Sequence, residues 1–334
     1  MRFPAGLHTS MTRYLIRNTM EGTKRFPLVL MLEPTHRCNL ACAGCDRIRL
    51  QDQEQSDDLS LEQCINAVTE AKAPVVTVTG GEPLLYRELQ PLVGELLAMK
   101  KHVYLCTNGI LTESFIREFS PAAELTLNFH LDGLERTHDS ITNKEGTFAR
   151  AVESIKKAKK KGFRVSTNTS VYKNSDIKEL EELFELLGGL GVDGNLISPA
   201  FSYERVENDI FLCRDEAMER FRLMAHFFQR FPFMNSPLYV DFLQGKRQMR
   251  CTPWGNPTRN PLGWKSPCYL ITDTYYASFR QLMEDTPWER YESGNDPRCR
   301  DCMVHSGFEA TAVRLAFSNP KDLFRMARWN LKKS

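Results

Sequence analysis

The sequence predicts an α/β fold: a partial (β/α)6 barrel of the TIM type, with a cysteine-rich C-terminal extension. Two patterns predict it. From about residue 26, short β-branched segments alternate with segments of helical period. After about residue 245 the alternation stops, and Pro, Gly, Trp and Cys become frequent, so that stretch reads as loops organised by something other than a large core. The 334 residues leave room for a barrel-sized domain and an appendage. The expected division is an amphipathic N-terminal segment over 1–25, the barrel over 26–245, the extension over 246–312 and a basic amphipathic tail over 313–334.

Strands are expected at Leu28–Glu33, Val75–Thr79, Val103–Thr107, Leu125–Leu131, Phe163–Val171 and Val192–Ser198. Helices are expected between them at Leu61–Ala71, Glu88–Met99, Glu113–Phe119, Phe148–Lys160 and Ile177–Leu187. Ser60 and Gln63 form a capping box that opens the first of these. Strand–helix–strand repetition implies a parallel sheet with right-handed crossovers. In such barrels chemistry sits at the C-terminal strand ends, and Cys38, Glu82, Asn108 and Asp132 all fall just past them. The lysine run Lys156–Lys161 and the acidic stretch Glu179–Glu185 read as solvated helix faces.

Lys+Arg 44 against Asp+Glu 42 leaves a formal net charge of +2, which argues for no nucleic-acid partner. No export signal and no apolar run of membrane-spanning length is read, so a cytoplasmic protein is expected, with peripheral contact to the inner membrane as a further expectation. Ten cysteines in that setting suggest metal ligation over disulfides.

Cys38, Cys42 and Cys45 stand in R-C-N-L-A-C-A-G-C, after the apolar stretch L-V-L-M-L-E. Three thiolates at this uneven spacing suit three irons of a cubane [4Fe–4S] cluster, leaving the fourth iron open to a substrate or cofactor. A zinc site, which favours paired ligands, or unrelated buried thiols are the alternatives. Residues 79–83 read T-G-G-E-P directly after V-V-T-V: a strand ending in a tight turn at Gly80 and Gly81, with Glu82 placing a carboxylate there. A second group, Cys251, Cys268, Cys299 and Cys302, suffices for an auxiliary [4Fe–4S] cluster or a closed zinc, with unligated thiols as the plain reading. His305 is a candidate extra ligand there, with an ordinary loop histidine as the favoured reading.

The Cys-x3-Cys-x2-Cys run followed by a strand ending in Gly-Gly-Glu-Pro resembles the radical S-adenosylmethionine (SAM) superfamily. The resemblance implies the same partial barrel, with SAM chelating the open iron through its amine and carboxylate. It also implies SAM binding at the Gly80–Glu82 strand end, and cleavage of SAM to a 5′-deoxyadenosyl radical by an electron from an external low-potential donor. The spacing Cys251…Gly263…Cys268 is similar to the twitch and SPASM extensions of that superfamily, which hold auxiliary clusters. That superfamily usually carries an aromatic before the third cysteine; here Gly44 stands there.

Longer strings, among them P-L-V-L-M-L-E-P, V-Y-L-C-T-N, H-L-D-G-L, C-T-P-W-G-N-P-T-R-N and C-M-V-H-S-G-F-E-A-T-A-V, resemble the adenosylhopene transferase family of hopanoid biosynthesis over about 22–313. That resemblance implies addition of the radical to the alkene of the apolar triterpenoid diploptene, giving adenosylhopane. Such chemistry requires an apolar cavity and a hydrogen source, for which Cys106, at a strand end on the active face, is the candidate. Gly44 is a shared feature of that family, whereas Ser306 stands where a further cysteine is usual, and Asp46-Arg47 and Gln51–Asp58 depart from its pattern. The alternative is a radical SAM enzyme that abstracts hydrogen from, or adenosylates, a different small molecule or peptide. A non-catalytic iron–sulfur or zinc protein is the third reading.

Asn108, His130, Asp132 and Asn168 are candidates to hydrogen-bond SAM, with Ser198 weaker; alternation places Asn128, His130 and Asp132 on one strand face. Phe221–Phe228 either lines a lipid cavity or is core. At the two ends, Met11, Tyr14, Leu15 and Ile16 beside Arg13 and Arg17, and Leu323, Phe324, Met326, Trp329 and Leu331 beside Lys321, Arg325, Arg328, Lys332 and Lys333, suit either interfacial helices or ordinary amphipathic helices packed on the barrel.

Overall fold

The computed structural model describes residues 3–45, 57–203, 206 and 209–331. Expectations resting on 46–56, 204, 205, 207, 208 and 332–334 lie outside them.

The barrel strands are β1 (Val29–Leu32), β2 (Val75–Val78), β3 (His102–Thr107), β4 (Leu125–His130), β5 (Arg164–Val171) and β6 (Gly194–Pro199). All six pair in parallel in the spatial order β6-β5-β4-β3-β2-β1. Each lies within two residues of its expected bounds. Helix α1 (Ala5–Met20) precedes the barrel. Between the strands run α2 (Leu61–Ala71), α3 (Leu89–Ala98), α4 (Thr112–Glu118), α5 (Glu135–Thr142), α6 (Thr147–Lys161) and α7 (Ile177–Gly189). The Ser60 box is present: Ser60 Oγ accepts from the Gln63 N–H, and the Gln63 side chain accepts from the Ser60 N–H. Helix α5 was not expected, because it carries few apolar residues to set a period.

The strands alternate cleanly. Leu30, Leu32, Val76, Val78, Val103, Leu105, Leu127, Phe129 and Val165 are fully buried in the main apolar core. The opposite, inner face carries Thr77, Tyr104, Cys106, Asn128, Ser166, His130 and Asn168 in neighbouring registers. Burial on one face fixes the register, because a one-residue slip would turn the apolar set inward.

After α8 (Arg214–Leu223), α9 (Phe227–Arg230) and α10 (Pro237–Leu243), the expected loops prove to be structured. Strand β7 (Thr258–Asn260) pairs in parallel with β1, and β8 (Gly263–Pro267) and β9 (Thr272–Tyr276) extend the same sheet antiparallel, giving nine strands. Helices α11 (Phe279–Asp285), α12 (Trp288–Glu292), α13 (His305–Ser318) and α14 (Pro320–Leu331) follow. The short strands carry Arg, Asn, Gly, Lys and Pro in place of an alternating pattern, which is why periodicity misses them. Their pairing to β1 anchors the extension to the barrel.

Other expectations are corrected by packing. Phe221, Met224 and Phe227 are fully buried in the main core with Phe228 packed against it, so that segment is core. Lys159 pairs with Asp193 at 2.6 Å and Lys157 with Glu113 at 3.0 Å, while Glu179 accepts from the Leu134 N–H and the Thr137 hydroxyl. These charges brace neighbouring elements as well as facing solvent. In α1, Leu15 packs with Met11 and Tyr14 against Phe26, Leu28 and Ala310.

Candidate active site

Cys38, Cys42 and Cys45 lie on the loop between β1 and α2, and every neighbouring element ties that loop down. The Gly81 N–H donates to the Thr35 carbonyl (3.1 Å), Glu82 N–H to Arg37 (2.8 Å) and Ala43 N–H to Ile141 (2.8 Å). Asn143 Nδ2 donates to the Ala41 carbonyl at 2.6 Å, and Asn108 Nδ2 to Asn39 Oδ1 at 2.7 Å.

The two glycines are required by this lacing. A Cβ on Gly80 would lie 2.5 Å from the Thr35 carbonyl oxygen, and one on Gly81 2.0 Å from that of Arg37. The strand end must therefore lie against the backbone that leads into the cysteines. Gly80 also holds φ at +123°, which side chains rarely adopt.

Glu82 is buried and turned inward. Its Oε1 accepts from the Thr107 hydroxyl (2.9 Å) and the Leu84 N–H (3.1 Å), its Oε2 from the Asn108 N–H (2.8 Å). Burial pushes its carboxyl up to about 7, against the pull of those hydrogen bonds. It braces the end of β2 to the end of β3.

Burial raises the Cys38 and Cys42 thiols, and each is raised further by the Cys45 charge, Cys38 also by Glu82 and Cys42 also by Asp132. Three clustered thiols beside carboxylates are costly to ionise on their own, and the positive iron core of a cluster would offset that cost when they bind it. All ten cysteines are free thiols. Among the described residues, no three Cys, His, Asp or Glu side chains converge closely enough for a single ion.

Gly44 is explained by Tyr172, one residue past β5. A Cβ at 44 would lie 2.9 Å from the tyrosine oxygen and 3.1 Å from Cε1. An aromatic ring thus stands beside the third cysteine, supplied by another strand.

On the inner face, His130 Nε2 meets Asp132 Oδ2 at 2.8 Å, and the other Asp132 oxygen accepts from the Ser170 N–H at 2.7 Å. Burial lowers the His130 pKa, but the Asp132 charge and hydrogen bond outweigh it, and the net shift is upward. Asn168 Nδ2 lies 3.3 Å from His130 Nδ1, which leaves Asn168 Oδ1 buried without a partner. That orphaned acceptor, beside a histidine–carboxylate pair, suits the hydroxyls of a ribose. Asn108 is largely committed to the loop, since its Oδ1 also accepts from the Ile110 N–H. Cys106 is part-buried on the same face; Asn128 Nδ2 donates to its sulfur at 3.4 Å, and Ser166 Oγ to Asn128 Oδ1 at 2.8 Å. Burial pushes this thiol up to about 11, more than the Asn128 hydrogen bond lowers it. Asn39, Thr107, Ser166 and Tyr172 escaped the sequence reading, because each is defined by a partner on a different strand or loop.

Cys251, Cys268, Cys299 and Cys302 line one cavity of 490 Å³, together with Ser306 and Gly307. Burial is the main cause that raises all four thiols, with mutual repulsion adding to it at Cys251, Cys299 and Cys302. Gly307 is needed here, since its Cβ would lie 2.3 Å from Cys251 Sγ. His305 is not part of that lining: its Nδ1 sits 3.4 Å from Ser198 Oγ, and burial lowers its pKa to about 4.

With this geometry the comparisons with known proteins agree. Residues 32–187 match the model of the radical SAM superfamily, and residues 195–326 match a domain of unknown function, DUF3463. The chain is 25% identical over 319 residues to the antilisterial bacteriocin subtilosin biosynthesis protein AlbA of Bacillus subtilis, covering 91% of this chain and 67% of that one. It is 30% identical over 161 residues to the GTP 3′,8-cyclase of a Synechocystis species, covering 47% of this chain and 49% of the cyclase. Streptococcus suis SuiB bound to S-adenosylmethionine has the same fold, with a TM-score of 0.64 at 12% identity, over 91% of this chain and 78% of that one. None of these likenesses points to the hopanoid family in particular. Strand order, cysteine loop and Gly-Gly-Glu strand end converge on one conclusion: this chain carries a radical SAM superfamily domain, of the family that uses a [4Fe–4S] cluster and SAM.

Proposed function

We propose that this chain is a radical SAM enzyme whose substrate meets the C-terminal strand ends of the barrel, and that Cys106 returns a hydrogen atom to a carbon radical on that substrate. When bound, the cluster and SAM supply the organic radical that starts the reaction. Cys38, Cys42 and Cys45 would hold the cluster; Asn168 and the His130–Asp132 pair would take SAM's polar groups. Four grouped thiols supply the ligands for a second [4Fe–4S] cluster in the extension.

The observation that carries the reading is the place of Cys106: it stands part-buried on the inner strand face, with Asn128 Nδ2 donating to its sulfur at 3.4 Å. A thiol pushed up to about 11 keeps its proton at neutral pH, so an S–H bond faces the inner space. Homolysis of that bond gives the substrate one hydrogen atom and leaves a thiyl. One electron from the external low-potential donor and one proton from water restore the thiol.

Similarity to a bacteriocin biosynthesis protein over 91% of the chain supports a peptide or small polar substrate. So does an inner face of Thr, Tyr, Asn, Ser and His, in place of the apolar wall expected for a triterpenoid. The adenosylhopene transferase strings support a second reading, addition of the deoxyadenosyl group to the alkene of diploptene.

Anaerobic turnover in D2O with SAM and a low-potential reductant, read by mass spectrometry, separates them. A diploptene–deoxyadenosyl adduct carrying one deuterium establishes the addition. Release of 5′-deoxyadenosine that a peptide fraction stimulates and diploptene does not establishes the first reading. Absence of SAM cleavage with an intact reduced cluster overturns both.

A further inference from the structure

Helix α14 turns much of its apolar stripe away from the body. A surface helix ordinarily turns its apolar stripe to the core. Here the side toward the body carries Asp322 and Asn330, 8% and 5% exposed. Arg247 grips Asp322 through two hydrogen bonds of 2.9 Å, Asp241 pairs with Arg325, and the Phe3 N–H donates to Asn330 Oδ1 at 3.0 Å. Met326 and Trp329 add apolar contact there, Met326 beside Leu238, Ala312 and Ala316, and Trp329 against the Phe3 ring.

The adjoining, outward sector carries Leu323, Phe324 and Leu331, 49%, 70% and 66% exposed, with exposed Ala327 among them. At 100° per residue these four occupy one outward sector. Exposed Lys321 and Arg328 follow along one edge of it, and Arg325 beyond. The helix is therefore held by ion pairs, the Asn330 hydrogen bond and two apolar side chains, and leaves Leu323, Phe324 and Leu331 largely exposed.

We propose that this face lies on an anionic lipid bilayer, with Leu323, Phe324 and Leu331 in the acyl boundary and Lys321 and Arg328 at the level of the phosphates. An apolar stripe with a cationic edge matches that interface in both polarity and sign. A second copy of the chain would meet the same face with charge of the same sign. Helix α1 differs in part: it packs Leu15, Met11 and Tyr14 on the body but leaves Ile16 and Met20 exposed. The inference stands whichever substrate the barrel takes.

Co-sedimentation of the full chain with vesicles tests it. Binding is expected to phosphatidylcholine vesicles containing phosphatidylglycerol, to fall on vesicles of phosphatidylcholine alone, and to weaken as salt rises. The double variant Phe324→Glu/Leu331→Glu should lose about tenfold or more in partitioning, with circular dichroism and iron content unchanged, because both side chains are exposed. Lys321→Gln/Arg328→Gln should remove the preference for anionic vesicles. Wild-type protein left in the supernatant with every vesicle, or a double variant that binds as the wild type does, would overturn the proposal. So would concentration-dependent self-association abolished by the double variant without vesicle binding, which would assign the face to a second copy.

Discussion

Asn128 and Cys106 face each other across neighbouring strands, the amide donating to the sulfur at 3.4 Å. The amide carbonyl is held in turn by the Ser166 hydroxyl. This chain of three residues aims the thiol and fixes the orientation of the amide.

Replacing Cys106 by Ser keeps a hydrogen-bond partner for Asn128 but offers an O–H bond too strong to give up its hydrogen atom readily. We expect Cys106→Ser and Cys106→Ala both to cleave SAM and both to lose the single solvent deuterium from the product. Mass spectrometry of turnover in D2O checks this; unchanged deuterium in either variant removes Cys106 from the mechanism.

Cys38→Ala, Cys42→Ala or Cys45→Ala should each abolish SAM cleavage. Replacing Cys251 and Cys268 together should remove roughly half of the reconstituted iron, as expected when one of two clusters is lost. Iron assay and electron paramagnetic resonance of the reduced protein give the readout. Full iron content in the second variant would leave the extension without a cluster.

Gly44 and Tyr172 must be substituted together to be understood. A methyl group at 44 meets the tyrosine ring, and overpacking of this kind costs about 1–3 kcal/mol. Gly44→Ala should destabilise the apoprotein by that amount in the wild-type background and by much less in Tyr172→Ala. Urea midpoints for the four proteins measure the coupling; additive effects would show that the contact is not tight.

Burial lifts the Glu82 carboxyl from 4.5 to about 7. An acid whose pKa is raised by folding favours the folded state while protonated, so this contribution is intact below about 4.5 and lost progressively as pH rises to about 7. The loss is up to about 3 kcal/mol. The apoprotein should therefore have a lower urea midpoint at pH 8 than at pH 5, and Glu82→Gln should flatten that difference. An identical pH dependence in the variant would mean that another group carries it.

The sequence by itself determined the six-stranded barrel, because burial on one face of each strand and each helix writes periods of 2 and 3.6 into the residues. It also placed the three cysteines and the Gly-Gly-Glu strand end, since a cluster ligand set and a sterically crowded turn need particular residues at short spacing. What only the tertiary structure decided are relations between distant segments: Tyr172 over Gly44, Asn128 against Cys106, and four cysteines, one before β7, one just after β8 and two between α12 and α13, lining one cavity. The three short strands after 256 belong there too, because β7 gains its place from pairing to β1 and β8 and β9 from pairing outward from β7, not from a pattern of their own. Helix α14 shows the limit most plainly. Its period says that Leu323, Phe324 and Leu331 share a face, but only the ion pairs of Arg247 with Asp322 and Asp241 with Arg325 turn that face outward.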